Sequence, residues 1–340
     1  MGQPGTRARV LYLGVDGGSS GTRALLIDAT ATVHGYGEGG NANHQGQGIP
    51  SAVGHIGEAV DHACRAAGCS PDGIALAHFA LAGLDVEDDY RALTPPLQAL
   101  LPGVVLRLSN DVWAGLRAGS IEGHGVAANC GSGCGAVGRD SAGRQAIIPD
   151  LGYQFGDSGG SIQIGVDAIR AVVRAWDGRG DPTALTRPVL DLARQPDVDA
   201  LYLAMYRDQF DPRRERGLAA LVFRAARGGD PVATAILARV GDELGRSAAA
   251  IAARLDLGDR PFPFVLTGGG FRTLDSPLAD AAVAHLRRLA PAASSTLPVI
   301  LPVAAAALLA LDGAGIPVGA DHYARLRDQR YGWHPEDTYS

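Results

Sequence analysis

The sequence predicts an α/β protein of two lobes. Apolar segments of strand length alternate with amphipathic segments of helix length in both halves of the chain. A pattern of apolar run, Gly/Ser-rich turn, apolar run, polar turn and third extended segment occurs at 10–33 and again at 125–148. The length of 340 residues also favours two domains, each long enough to bury its own core.

The predicted elements of the first half follow from local patterns. Val53, Ile56 and Val60 recur at helical spacing, with Ser51 as the expected N-cap and Gly68 as the expected end of that helix. In order, we expect strands at 10–13, 24–27 and around 33, a Gly/Asn loop at 37–48, a helix at 51–68, a strand at 74–81, a helix at 90–101 interrupted by Pro95-Pro96, a strand at 104–108 and a helix at 113–119.

The second half repeats the strand group and then becomes largely helical. We expect strands at 125–128, 136–138 and 145–148, a glycine-rich turn at 149–160, helices at 161–176, 218–228, 231–255, 277–290 and 303–311, one or two helices within 177–213, a strand at 262–266 and a loosely held tail at 323–340.

Composition excludes several classes of function. All 30 basic side chains are arginine, so the chain lacks the lysine that P-loop NTPases, protein kinases and Schiff-base enzymes need. A net charge of −6 argues against a nucleic-acid partner. No segment suits a signal peptide, and the longest apolar stretch, at 299–311, is too short to cross a bilayer. We therefore expect a cytoplasmic protein without a membrane partner.

Three glycine-rich turns follow predicted strands and suggest phosphate binding. A Gly/Ser turn leaves backbone N–H groups exposed to an anion, although any one of these turns taken alone would more simply be an ordinary hairpin. Together they favour a nucleotide clamp over a dinucleotide site, since no Gly-x-Gly-x-x-Gly motif opens a helix. The residues concerned are Gly17, Gly18, Ser19, Ser20; Gly131, Ser132, Gly133; and Gly268, Gly269, Gly270.

Two aspartates at strand ends are candidates for catalysis. Asp16 ends a buried strand, where it either caps its own turn or binds Mg²⁺, through water, on the nucleotide phosphates. Asp111 follows the strand at 104–108 and precedes a helix. It, or Asn110 before it, is either the N-cap of that helix or part of an acceptor site in which Asp111 is the general base.

Other polar residues are candidates for binding a sugar. Asp157 lies between glycines before a helix, which it could cap, and a carboxylate there also suits bidentate bonding to two sugar hydroxyls. Asn43 has the same two interpretations, and His44 is otherwise a solvent-exposed loop histidine. Four cysteines at 64, 69, 130 and 134 have neither the spacing of a zinc site nor that of a redox pair, so we expect reduced thiols rather than a metal or iron–sulfur site.

Taken in order, these residues resemble the N-acetylglucosamine kinase branch of the actin/hexokinase/Hsp70-like superfamily, also called the BadF/BadG-type ATPase family. In the first half, Gly14–Thr22 resembles the first phosphate motif of the family, Asn43-His44 its substrate loop, and Asn110-Asp111 the segment with its catalytic aspartate. In the second half, Gly131-Ser132-Gly133 resembles the second phosphate motif, Gly152 with Gly156-Asp157 the sugar-binding turn, and Thr267–Phe271 the adenosine motif.

The resemblance implies a fold and an activity. The fold would be two ribonuclease-H-like, actin-like ATPase lobes hinged around a central cleft: residues 1–118 with about 300–340, and residues 119–299. The activity would be ATP- and Mg²⁺-dependent phosphorylation of the 6-hydroxyl of N-acetylglucosamine or glucosamine. The oligomeric state is left open, with a homodimer as one expectation. Three departures lie on the sugar side: Ala82, Pro149-Asp150-Leu151 and Ser158 stand where the family usually has other residues.

Two other functions compete with the sugar kinase. An ATPase activator of the 2-hydroxyacyl-CoA dehydratase or benzoyl-CoA reductase type would share a [4Fe–4S] cluster between subunits through cysteines, which here are poorly spaced for it. A sugar-sensing regulator would need a DNA-binding module, for which the nine residues before the first strand leave no room.

Overall fold

The computed structural model describes residues 10–157, 159–215 and 217–328, and it confirms the prediction of an α/β fold with two lobes. The strands are β1 (Leu11–Gly18), β2 (Gly21–Ile27), β3 (Val33–Gly39), β4 (Ile74–Leu81), β5 (Val105–Asn110), β6 (Gly125–Cys130), β7 (Cys134–Arg139), β8 (Gln145–Ile148), β9 (Pro263–Thr267) and β10 (Ser294–Thr296).

The helices alternate with these strands, and two short 3₁₀ turns lie at Pro71–Gly73 and Tyr153–Phe155. The α-helices are α1 (His44–Gln47), α2 (Ile49–Ala67), α3 (Glu87–Leu100), α4 (Val112–Gly119), α5 (Gly160–Trp176), α6 (Thr186–Ala193), α7 (Val198–Tyr206), α8 (Leu218–Arg227), α9 (Pro231–Arg254), α10 (Pro277–Arg287), α11 (Pro302–Gly313) and α12 (Ala320–Asp328).

Each lobe has one mixed five-stranded sheet. The first has the strand order β3-β2-β1-β4-β5, in which β1 pairs antiparallel with β2 and parallel with β4. The second has the order β10-β9-β6-β7-β8. The repeated pattern in the sequence therefore marks the first three strands of each sheet, whose β-hairpins carry the Gly/Ser turns.

The chain divides into two compact units. The first contains the described residues up to Ala127, together with Arg139–Arg144 and those from Pro298 onward. The second contains Ala128–Gly138 and Gln145–Leu297. Both units are therefore discontinuous in sequence, and the last helices of the chain belong to the first one.

Close backbone contacts build the core of the first unit. The apolar helix α11 is buried along Val303–Leu311 and packs against β1, β4 and α4. A Cβ at Gly14 of β1 would overlap the backbone of Ala306 and Ala307, so only glycine allows this strand and helix to approach so closely. On the same sheet, α2 packs against β3 over Gly35, Gly37 and Gly39.

Helix boundaries differ from prediction at the start of α2 and within α3. The helix α2 begins at Ile49 with Pro50 in its first turn, so Ser51 is not its N-cap, and it ends as predicted at Gly68, which has a φ of 60°. The helix α3 continues through Pro95 and Pro96 without interruption and starts three residues before Tyr90. The structure thus corrects two predictions that relied on single residue types.

The C-terminal segment is also more ordered than predicted. Tyr323 in α12 is buried, and its hydroxyl donates to the Arg117 carbonyl while the Arg117 guanidinium donates to the hydroxyl at 2.8 Å. Arg117 also bonds Asp312 at the end of α11, at 2.8 Å. The expectation of a loose tail is therefore wrong up to 328, and 329–340 lie outside the described residues.

Two further outcomes concern elements and spans. The predicted stretch at 177–213 contains two helices, α6 and α7, whereas the short edge strand β10 was not predicted. In the described part of the chain, no helix is both long enough and apolar enough to span a bilayer.

Candidate functional site

The hairpin β1–β2 carries the first predicted phosphate turn at Ser19 and Ser20. Asp16 stands opposite Arg23 in this hairpin, and burial raises the pKa of Asp16 to about 6, with Arg23 offsetting part of the rise. Gly17 is packed against Leu81, whereas a Cβ at Gly18 would meet no atom within 4 Å. The outer side of the turn is therefore open.

The predicted substrate loop lies against this turn. Asn43 caps the short helix α1 by accepting from the Gln45 amide at 3.0 Å, and its own side-chain amide donates to the Ser19 hydroxyl at 3.2 Å. The structure thus brings Asn43 and Ser19 together within the first unit. The capping role of Asn43, left open by the sequence, is observed, and the contact with Ser19 adds a link between the sugar loop and the phosphate turn.

His44 is not an exposed loop histidine. Its side chain is 10% exposed, and its Nε2 lies 3.1 Å from an Asp89 carboxylate oxygen at the start of α3. The other Asp89 oxygen accepts the amides of Asp85 and Val86. Within the described residues, the buried Nδ1 of His44 has no hydrogen-bond partner. His44 therefore ties the substrate loop to the segment after β4, and a sugar-binding role for it stays a prediction.

A carboxylate that was not predicted, Asp85, joins two of the predicted segments. One of its oxygens accepts from the Asn110 side-chain amide at 2.9 Å, and the other accepts from Gln45 at 3.1 Å. Gln45 also donates to the Gly83 carbonyl. Asp85 thus connects the substrate loop to the segment that carries Asp111. The only signal in the sequence was its place in the turn that follows the buried strand at 74–81, four residues after Leu81.

Asp111 occupies the N-cap position of α4, one of the two interpretations that the sequence left open, but its side chain does not cap the helix. The Asn110 side chain accepts the Val112 amide at 3.0 Å instead, and Asp111 makes no N-cap hydrogen bond to α4. Burial, together with the negative charges of Asp16 and Asp85, raises the pKa of Asp111 to about 7. A carboxyl with this pKa changes its protonation near neutral pH, as a general base should.

The second phosphate turn, in the second unit, is built from backbone contacts. The Gly131 amide donates to the Gly133 carbonyl at 3.0 Å, and the amides of Ser161 and Ile162 at the start of α5 donate to the carbonyls of Gly131 and Ser132. A Cβ at Gly160, which has a φ of 79°, would lie 2.5 Å from two of these carbonyl oxygens. The turn and the helix N-terminus therefore form one compact piece.

The third glycine-rich turn packs against the second. The Gly270 amide donates to the Cys130 carbonyl at 2.8 Å, and a Cβ at Gly268 would lie 2.6 Å from that same carbonyl. Gly269, between them, is exposed with no atom within 4 Å of a built Cβ. The structure thus brings Gly131–Gly133 and Gly268–Gly270 together, as two of the three predicted phosphate and adenosine segments.

The predicted sugar turn is closed by its own aspartate. One oxygen of Asp157 accepts the amides of Leu151 at 2.6 Å and Gly152 at 2.9 Å, so Asp157 does not cap α5, whose N-cap is Gly159. Asp150, in a segment that departs from the family, accepts the Cys134 amide at 3.0 Å, and burial raises its pKa. Ser158, another departure, lies outside the described residues.

The residues present fit a nucleotide and a divalent cation. Burial raises the pKa of both Asp16 and Asp111, and carboxylate oxygens are the ligands that Mg²⁺ prefers. In the second unit, Gly269 is exposed and has open space beside it, so the main chain of that glycine turn is accessible to an anion.

Known proteins with similar sequences and folds carry consistent names. An N-acetylmuramic acid/N-acetylglucosamine kinase of Clostridium acetobutylicum is 27% identical over 188 residues, which cover 55% of this chain and 61% of that enzyme. An N-acetyl-D-glucosamine kinase of Dictyostelium discoideum is 25% identical over 321 residues, 90% of this chain and 99% of that enzyme. This chain therefore aligns with only about three fifths of the bacterial enzyme but with nearly all of the second one.

A solved structure agrees with these relatives. The protein from Chromobacterium violaceum, described as a proposed N-acetylglucosamine kinase, is 27% identical with a TM-score of 0.67, and the similarity covers 89% of this chain and all of that one. The BadF/BadG/BcrA/BcrD ATPase family matches residues 13–310, which contain every predicted site residue. This chain therefore belongs to the BadF/BadG/BcrA/BcrD ATPase family.

Proposed function

We propose that this protein is an ATP-dependent kinase that phosphorylates the 6-hydroxyl of an amino sugar, N-acetylglucosamine or glucosamine, with Asp111 as the general base. The observation that carries the proposal is the state of Asp111. It directly follows β5, its pKa is raised to about 7, and its side chain makes no capping bond, while Asn110 accepts the Val112 amide at the start of α4. Relatives over most of the chain bear the names of sugar kinases.

Each unit contributes a defined set of groups. In the first, Asp111 accepts the proton of the attacking hydroxyl and orients that oxygen, while Asn43 and Asn110 position the acceptor. In the second, the turns at Gly131–Gly133 and Gly268–Gly270 bind phosphates and adenosine through backbone groups, and Asp157 binds sugar hydroxyls. Asp16 would hold Mg²⁺ through water. Bound ATP with Mg²⁺ supplies the transferred phosphoryl group and neutralises its charge.

The packing of the cysteines favours a kinase over the dehydratase or reductase activator. Cys130 and Cys134 are buried around the second phosphate turn, where their side chains contact Gly270 and Gly159. Burial raises the pKa of the Cys130 thiol to about 12. A cluster shared between two subunits needs exposed thiolates, so these two residues serve that role poorly.

The test is an ADP-release assay over N-acetylglucosamine, glucosamine, N-acetylmannosamine, N-acetylmuramic acid and glucose, followed by NMR to locate the phosphate on the product. We expect an amino sugar to be the best acceptor and its 6-hydroxyl to be phosphorylated. Release of ADP at the same rate with every sugar and without one would overturn the kinase proposal.

The matched variant for the base is Asp111→Asn. It should lower kcat about 10²–10⁴-fold while ATP and sugar still bind, because a positioned base typically contributes that factor. Asp88→Asn is the control, since Asp88 is exposed at the start of α3. Turnover of Asp111→Asn within tenfold of the unmodified protein would contradict the assignment.

A further inference from the structure

A groove in the second unit uses none of the residues assigned to the kinase site. It lies between one face of α5 and the first turns of α9, and Gly180 and Asp181 in the connection after α5 close one side. Its volume is about 560 Å³, within the range of small-molecule sites. We refer to it as the arginine groove, because Arg170, Arg174 and Arg239 line it.

A buried carboxylate holds two of these arginines side by side. Asp167 is 7% exposed, and its two oxygens lie 3.2 Å from an Arg170 nitrogen and 2.7 Å from an Arg239 nitrogen. One carboxylate balances the charge of only one guanidinium, so this arrangement leaves a positive charge in the groove. Both arginine side chains are also more than half exposed, and each guanidinium has five donors, so each retains N–H groups for a ligand.

The third arginine, Arg174, lies on a part of the groove that hydrogen bonds hold in place. Arg174 lies one turn after Arg170 on α5, and its guanidinium donates to the Arg179 carbonyl while its own carbonyl accepts from Gly180. Further along, Asp230 caps α9 and also accepts from Thr183 and Ala184. The lining contains three arginines against two aspartates, a net charge of +1.

The floor of the groove is apolar. Ala171, Val232, Ala235 and Ile236 form it between the charged side chains. Guanidinium groups bind phosphate in a bidentate manner, and an apolar surface accommodates the face of a sugar ring or a base. A simple bridge between helices would need one arginine for Asp167, whereas three arginines line this open volume.

We propose that the arginine groove binds a phosphate monoester of a sugar- or nucleoside-sized molecule, with the phosphate on Arg170 and Arg174 and the ring on the apolar floor. The ligand is a second one, bound apart from the residues of the proposed catalytic site. Its binding requires no turnover, so the proposal does not depend on the kinase assignment.

Calorimetric titration of the full chain tests this, with glucosamine 6-phosphate, AMP and inorganic phosphate as separate probes. We expect one of the two organic phosphates to bind more tightly than inorganic phosphate, and the stronger of the two identifies the source. The double variant Arg170→Ala/Arg174→Ala should weaken the binding of that phosphate at least about tenfold, because each lost hydrogen bond between charged partners costs a factor of about ten or more in affinity. The control is Arg187→Ala, an exposed arginine on α6 paired with Asp191.

Binding at the catalytic site must be separated from binding at the groove. Asp157→Asn should weaken the first and leave the groove's affinity unchanged. Arg174→Gln is the milder second variant, since it leaves both arginines on Asp167 and so keeps the buried carboxylate paired. The proposal is overturned if none of the three probes binds, or if binding stays within twofold of the unmodified protein in both arginine variants while Asp157→Asn abolishes it.

Discussion

The two units build their functional turns by different means. In the first unit, side chains do it: Asn43 reaches Ser19, and Asp85 accepts from both Gln45 and Asn110. In the two glycine-rich turns of the second, close packing does it, with glycines at 133, 160 and 268 placed where a Cβ would collide or require a strained φ. The substrate loop of the first unit is thus held by a polar network, and the glycine-rich turns of the second are held by close packing.

The difference shows what each half can tolerate. A network of carboxylates and amides adjusts its charge and its partners through single substitutions, so it suits selection of an acceptor. A packed glycine turn accepts almost no change but presents the same N–H groups to any nucleotide. We therefore expect substitutions in the first unit to alter sugar kinetics, and substitutions of glycines in the second to alter ATP kinetics.

The largest effect on stability is expected at Gly14, because here the first unit also depends on a close backbone contact. Gly14→Val would force β1 and α11 apart and should lower the free energy of unfolding by about 3 kcal/mol or more. Urea denaturation measures this. Gly54→Ala in α2, where no atom lies within 4 Å of a built Cβ, should instead be neutral or raise stability by up to about 1 kcal/mol. Equal stability of Gly14→Val and the unmodified protein would refute the packing argument.

Gly268→Ala tests the backbone half of the site. Its φ of 90° and the Cys130 carbonyl beside it oppose a methyl group, so the affinity for ATP should fall about tenfold while the KM for sugar changes little. Nucleotide titration and steady-state kinetics give both values. Gly269→Ala serves as a control for folding and should keep the free energy of unfolding within about 0.5 kcal/mol. A larger effect on sugar than on ATP would reverse the comparison.

Asp85→Asn tests the side-chain half. An amide there would place one NH₂ group against the NH₂ of Gln45 or Asn110, so one hydrogen bond is lost and the KM for sugar should rise about five- to tenfold. The KM for ATP should stay unchanged. Asp88→Asn, three residues further on and exposed, provides a matched removal of charge. An equal rise in both KM values would show that Asp85 supports the fold rather than the acceptor.

The smallest effect concerns stability without ligands. Between about pH 4 and pH 7 the folded protein keeps a proton on Asp111 that the unfolded chain has released, so this residue costs stability as the pH rises through that range. Asp111→Asn should therefore be more stable than the unmodified protein at about pH 8, by about 1–2 kcal/mol, and match it at about pH 4. Thermal unfolding at the two pH values decides this. A stabilisation that is the same at both would exclude the titration of Asp111 as its cause.

Local chemistry explains which parts of the fold could be predicted. The strand at 74–81 and the glycine turns coincide with the structure because strand length, apolar content and glycine runs act over a few residues. Asp85 was missed because its partners lie 40 positions before it and 25 after it, a proximity that only the assembled sheet creates. The start of α2 and the uninterrupted α3 likewise depend on context that outweighs single Ser and Pro signals.

The placement of α11 has a consequence for the order of folding during synthesis. The sheet of the first unit cannot bury the face around Gly14 until residues 302–313 have been made, whereas the whole of the second unit precedes them. Domains usually fold from the N-terminus first as the chain emerges. Here the strand that carries Asp16 is made before the second unit, but it is completed only after that unit has been made.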